Sequence, residues 1–280
     1  MCRLFGMLSA SGTKASEYLV HSENSLLRQA DADPKRLQDD GWGIGWYEDA
    51  RAEVKKGDLG AFRPKERKAF LAAAQKATGS LVVGHLRKAS NPMDLPKTKL
   101  HGPLNSQPFA HGSALFLHNG WIPFPQETRP FLGEYSEAPQ GINDSEVFFY
   151  LLLHRIEKDR SVPRAYEASL VDLREVWQAQ GRSDEGPYGG MNILFSRTPH
   201  ELWAFCNFHG DHGKALGGGD RPYYEMCYRE TGDTLLVASE PMDSPADSWL
   251  RLPAGGYLHA ELKNGAVKVR KGTFQEPAWK

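Results

Sequence analysis

The order of the apolar segments constrains this chain more than any other feature. Up to Gly181, strand-length runs alternate with helical patterns; beyond it, nearly every apolar run has strand length. Strand-like segments are 2–9, 80–86 and 113–118 in the first part, and 191–195, 202–205, 223–228, 234–238, 256–261 and 266–269 in the second. Residues 38–47 read as a turn entering a Gly- and Trp-rich strand. Helical patterns cover 16–28, 64–77, 144–158 and 164–180. The clearest is 144–158. Asn143-Asp144-Ser145-Glu146 carries N-cap chemistry, and Val147, Phe148, Leu151, Leu152 and Ile156 form one apolar stripe. No polar linker divides the chain. This order predicts one α+β domain over 2–270, with two packed sheets, helices outside them and a C-terminal tail over 271–280.

Charge and cysteine usage exclude several classes. The formal net charge of 280 residues is −1, which sets up no long-range field favouring nucleic acid or anionic lipid. No apolar run approaches the 18 or so residues of a membrane span, and the opening residues lack the basic region of a signal peptide. Three cysteines, Cys2, Cys206 and Cys227, do not read as a disulfide framework, so a reducing cytoplasm is expected. No nucleic-acid or membrane partner is expected.

Cys2 follows the initiator methionine directly. Removal of Met1 would leave one residue carrying a thiol nucleophile and an α-amine that titrates near neutral pH. Three further segments place reactive groups at strand ends or a helix start: Gly84-His85-Leu86-Arg87-Lys88-Ala89-Ser90, Leu117-His118-Asn119-Gly120 and Asn143-Asp144-Ser145-Glu146. Each has a plainer reading. Asn-Gly is the commonest hairpin signal, Asp144 sits where a helix cap would, and Arg87 could be a surface charge at a strand end. Trp42, Trp46 and Trp121 read as core or pocket wall. The alternating Gly41, Gly43 and Gly45 suit close backbone approach in a strand.

Together, in this order and beginning at Cys2-Arg3-Leu4-Phe5-Gly6, these segments resemble the class II glutamine amidotransferase domain of the N-terminal nucleophile hydrolase superfamily. Asp40-Gly41-Trp42-Gly43-Ile44-Gly45-Trp46-Tyr47 and Val237-Ala238-Ser239-Glu240-Pro241 resemble its small stand-alone members, which include γ-glutamyl hydrolases of thiol metabolism. The likeness runs from Cys2 to about Leu258. It implies a four-layer αββα sandwich of two mostly antiparallel sheets. It implies an amidohydrolase that cleaves a γ-glutamyl amide, glutamine by default, through a Cys2 thioester. Asn119 and Gly120 would form the oxyanion hole. Arg87, Asp144 and His118 would hold the substrate, with Arg87 on its α-carboxylate and Asp144 on its α-ammonium. No cofactor is implied. The amine would leave to water or pass to a separate acceptor protein, since no acceptor domain is recognisable. Rival readings are a γ-glutamyl hydrolase of a larger thiol or peptide metabolite, and a silent domain that binds a γ-glutamyl compound or a partner protein. Asn105-Ser106-Gln107-Pro108-Phe109 departs from the His-Pro-Phe pattern of several stand-alone members.

Two loops carry distracting motifs. Cys206, His209, Asp211 and His212 are potential ligands but lack the second well-placed pair of a zinc site, so no metal is expected. Gly217-Gly218-Gly219 lacks the Lys-Ser/Thr of a phosphate loop. The segment 91–109, rich in Pro, Asn and Lys, reads as a long functional surface loop.

Overall fold

The computed structural model describes residues 2–91, 94–181, 186–210 and 221–278. In chain order the elements are β1 (Arg3–Ser9), α1 (Leu26–Gln29), β2 (Trp42–Glu48), β3 (Arg51–Gly57), α2 (Pro64–Lys76), β4 (Leu81–Leu86), α3 (Lys97–Leu100), β5 (Phe109–His111), β6 (Ala114–Gly120) and α4 (Pro125–Thr128). They continue with α5 (Asp144–Asp159), α6 (Val162–Ala179), β7 (Met191–Ser196), β8 (Glu201–Cys206), β9 (Met226–Thr231), β10 (Thr234–Ala238), β11 (Leu250–Leu252), β12 (Gly256–Lys263) and β13 (Ala266–Thr273).

The strands form two sheets, one of seven strands ordered β11-β9-β10-β1-β4-β2-β3 and one of six ordered β13-β12-β8-β7-β6-β5. Their pairings are antiparallel. The pleat sorts side chains into three apolar layers, because successive residues of a strand face opposite sides. Leu4 and Leu8 of β1 meet Leu115 and Leu117 of β6 and Leu194 of β7 between the sheets. Phe5 and Met7 face outward, with Leu19, Leu26 and the α2 residues Phe70 and Ala74. Phe116 of β6 faces the other way, onto Phe148 and Phe149 of α5. Helices therefore cover both outer faces, and the architecture is the αββα sandwich.

Local differences have local causes. The helical pattern over 16–28 divides into a single π-turn, Glu17–His21, and the short α1. The buried Ser25 hydroxyl donates to the Val20 carbonyl between them, an alternative to helical bonding that serine readily offers. The strand expected over 223–228 begins only at Met226 and runs to Thr231. The segment 91–109 holds α3 and a 3₁₀ turn at Pro103–Asn105, and its last residue opens β5. Packed structure also extends past residue 270: β13 runs to Thr273, and Phe274 is buried against α6 and β8.

The alternating glycines of β2 have a definite use. A Cβ on Gly43 would collide with the Gln107 carbonyl, and one on Gly45 would stand 3.1 Å from Pro108 Cγ. The segment 105–108 thus lies directly on the face of β2. Trp42 and Trp46 are buried in the outer layer, as their composition suggested.

Candidate active site

Four chain segments meet at one end of the sandwich. Cys2 stands just before β1, Arg87 just after β4, Asn119 and Gly120 at the end of β6, and Asp144 at the start of α5. The Cys2 backbone N donates to Asn119 Oδ1 at 3.0 Å. This bond ties the two sheets together and leaves Asn119 Nδ2 as a donor. The Cys2 sulfur lies 3.4 Å from Lys88 N and 3.5 Å from Lys88 O. Cys2 is buried, and burial pushes its thiol up; the Lys88 N–H and the Arg87 charge act against that.

Arg87 is held by main-chain groups. Its N–H donates to Gly41 O at 2.9 Å. Nη1 donates to the carbonyls of Asp40 and Leu100, at 3.0 and 2.7 Å. Asp40 supports the same corner through Oδ2, which accepts from Ala89 N at 2.9 Å.

The alternative of Asp144 as the helix cap is resolved by its neighbour. Asn143 is the N-cap, its Oδ1 accepting from Ser145 N at 2.9 Å. Asp144 is the first helical residue. Its Oδ2 accepts from Ile122 N at 2.7 Å and its Oδ1 from Ser145 N at 2.9 Å. A carboxylate there is also favoured by the partial positive charge of the helix N-terminus. Arg87 and Asp144 line one small pocket, together with Ser90, Asn91, Leu100, Ile142 and Asn143. A cation and an anion face the same space, the pairing that an α-amino acid zwitterion requires.

Gly120 is packed so tightly that a Cβ would collide with the Gly190 carbonyl. His118 does not join the group. The pleat of β6 turns it to the face opposite Asn119, into the helix layer beside Phe148. There Nδ1 pairs with Ser145 Oγ at 2.8 Å and Nε2 with Gly190 O at 3.2 Å. The second contact requires Nε2–H, so Nδ1 accepts from the serine, and burial holds the ring's pKa down. His118 thus braces the start of α5 and the approach to β7.

Several residues around the site carry no sequence signal of their own. Lys88 and Leu100 hold the Cys2 sulfur and the Arg87 guanidinium through main-chain groups. Asn105 is buried in a turn that reads as loop. Trp121, read from the sequence as core or pocket wall, is half-buried and lies over Gly189. Tyr224 packs against Gly190, and burial raises its phenol pKa, with Cys2 and Asp144 adding to the effect.

Among the described residues no group of three or more His, Cys, Asp or Glu could hold a metal ion. Cys206 is buried and His209 pairs with Glu276 at 2.6 Å. Asp211, His212 and Gly217-Gly218-Gly219 lie outside the described residues. Among those residues no helix is long and apolar enough to cross a membrane.

Residues 1–216 match the family model of class-II glutamine amidotransferases. The chain belongs to that family. The probable glutamine amidotransferase DUG3 of Saccharomyces cerevisiae is 24% identical over 301 aligned positions, covering 92% of this chain and 81% of DUG3. A class-II glutamine aminotransferase domain protein of Silicibacter pomeroyi shares the fold with a TM-score of 0.61 at 19% identity, over 98% of this chain and all of that one. The glutamine phosphoribosylpyrophosphate amidotransferase of Bacillus subtilis superposes with a TM-score of 0.58 at 17% identity, over 96% of this chain and 49% of that protein. This class-II chain therefore corresponds to about half of that larger enzyme.

Proposed function

We propose that this chain is a γ-glutamyl amidohydrolase with Cys2 as nucleophile and glutamine as its default substrate. The observation that carries the reading is the bond from Cys2 N to Asn119 Oδ1 beside a pocket lined by Arg87 and Asp144. Removal of Met1 makes the Cys2 nitrogen an α-amine. The sulfur attacks the γ-carbonyl carbon, and its proton passes to that amine, directly or through water. The carbonyl oxygen becomes an oxyanion, held by Asn119 Nδ2 and the Gly120 N–H. Collapse breaks the C–N bond, and the α-ammonium returns its proton to the departing ammonia or amine. A thioester remains on Cys2. Water, deprotonated by the same amine, then attacks the thioester carbon, releasing glutamate and restoring the thiol.

Arg87 and Asp144 hold the α-carboxylate and α-ammonium, so a free α-amino acid end is the recognised feature. The segment 91–109 contributes Asn91 and Leu100 to the wall of that pocket, beside the α-amino acid end of the substrate. The amine goes to water or to a separate acceptor protein. The test is glutamate release from glutamine and a panel of γ-glutamyl amides, with intact mass reporting Met1 removal. Release by the Met1-free form alone supports the reading. No release from any γ-glutamyl amide by that form overturns it.

A further inference from the structure

We propose that Asn105 is a positioning residue for the pocket, locking its Arg87 wall to its Asp144 wall; this rests on the pocket being the γ-glutamyl site. Asn105 lies in the turn Pro103–Asn105 and is only 6% exposed. Its side-chain amide is engaged in three directions. Nδ2 donates to Lys99 O at 3.2 Å and to His101 O at 3.0 Å. Oδ1 accepts from Ile142 N at 3.0 Å. Its main-chain carbonyl accepts from Asn143 Nδ2 at 2.6 Å.

These partners flank the pocket on its two charged sides. Lys99 and His101 bracket Leu100, whose carbonyl receives Arg87 Nη1 at 2.7 Å. Ile142 and Asn143 lead directly into Asp144, and Asn143 caps its helix. The amide of Asn105 therefore fixes the distance between the segment that orients the guanidinium and the one that carries the carboxylate. Two donors and one acceptor are needed at once. An amide supplies them, whereas a carboxylate would face two carbonyl oxygens with no hydrogen to offer. None of the bonds assigned to Asn105 goes to Cys2 or Asn119, so its influence falls on holding the glutamyl end, not on thiol attack.

The neighbouring Ser106 serves as a control. Its hydroxyl donates to Gly57 O at 2.8 Å, anchoring the same segment to β3 without joining the two pocket walls.

The experiment compares kcat and KM for glutamine in the Met1-free parent, Asn105→Asp, Asn105→Ser and Ser106→Ala, with melting temperature recorded for each. The result expected for Asn105→Asp is a KM raised about tenfold or more with kcat within about threefold, the pattern of lost ground-state binding. Its preference for glutamine over the analogue lacking the α-ammonium should narrow as well. Asn105→Ser keeps one donor, so it should fall between parent and Asn105→Asp, and it serves if Asn105→Asp does not fold. Ser106→Ala should lower the melting temperature with KM unchanged. A parent that turns glutamine over while both Asn105 variants keep its KM overturns the proposal alone, leaving Asn105 a plain brace. A parent that releases glutamate from no γ-glutamyl amide removes the reading of the pocket, and this proposal with it.

Discussion

Cys2 and Asn119 are separated by 117 residues in the chain and joined by a 3.0 Å hydrogen bond in the fold. Cys2 directly precedes β1 of the seven-stranded sheet, and Asn119 lies in β6 of the six-stranded sheet. The inward-facing positions of β1 and β6 are packed through Leu4, Leu8, Leu115 and Leu117, and the two polar residues continue those rows past the end of the apolar layer. The core that joins the sheets thus also fixes Cys2 against the Asn119 amide.

Replacing Cys2 by Ala should abolish glutamate release without unfolding the protein. Of the other two cysteines, Cys227 donates to the Ala238 carbonyl and Cys206 lies within β8, both fully buried, so neither can take over. Release above about 1% of the parent rate, with an unchanged melting curve, would assign the nucleophile elsewhere, since activated nucleophiles have no efficient substitute in such sites.

The oxyanion role proposed for Asn119 Nδ2 is distinct from the bond that its Oδ1 accepts from Cys2 N, and two variants probe it. Asn119→Asp keeps an oxygen for Cys2 N but loses the Nδ2 donor; Asn119→Ala loses both. Each should lower kcat by about 10²–10³, the usual loss for one oxyanion donor. KM should change little for Asn119→Asp. A defect confined to KM in that variant would mean that Asn119 only shapes the turn.

Arg87→Lys and Asp144→Asn should act at the glutamyl end. Lysine cannot present a planar fork to a carboxylate, and asparagine brings no charge to the ammonium. A loss in kcat/KM of about 2–4 kcal/mol is expected for each, typical of truncating a buried charged hydrogen bond. Competition by free glutamate should weaken in parallel. If γ-amides lacking the α-carboxylate react with the parent as fast as glutamine, Arg87 has another task.

Much of this arrangement could be read from the chain. Strand-length apolar runs exposed β1, β4 and β6, because strands covered on both faces are apolar throughout, and the cap and stripe exposed α5. The site motifs stood at the ends of those elements. What could not be read acts through the backbone. Lys88 contributes an N–H and Leu100 a carbonyl, which any residue could supply. Asn105 lies in a turn whose composition suggests only loop. His118 shows the opposite failure. Adjacency in Leu117-His118-Asn119-Gly120 suggests a shared role, but consecutive strand residues face opposite ways. The histidine therefore belongs to the helix layer and the asparagine to the site.

His85 gives the fold an acid sensitivity of its own. It is fully buried, and it shares the inward face of β4 with Val83 of the inter-sheet layer. Burial, reinforced by the Arg87 charge, lowers its pKa to about 3 from an ordinary 6.5. Between those values the unfolded chain binds a proton that the native ring refuses. The contribution to stability is therefore complete above about pH 6.5, is lost as pH falls, and levels off below about pH 3, with a slope near 1.4 kcal/mol per pH unit. His85→Leu removes the titration while roughly keeping the volume. Urea unfolding of parent and variant between pH 7 and pH 4 should show the parent losing about 3 kcal/mol more than the variant. Comparing the two curves cancels the shared carboxylates. Parallel curves across this range would show that the native protein takes up the His85 proton as readily as the unfolded chain does.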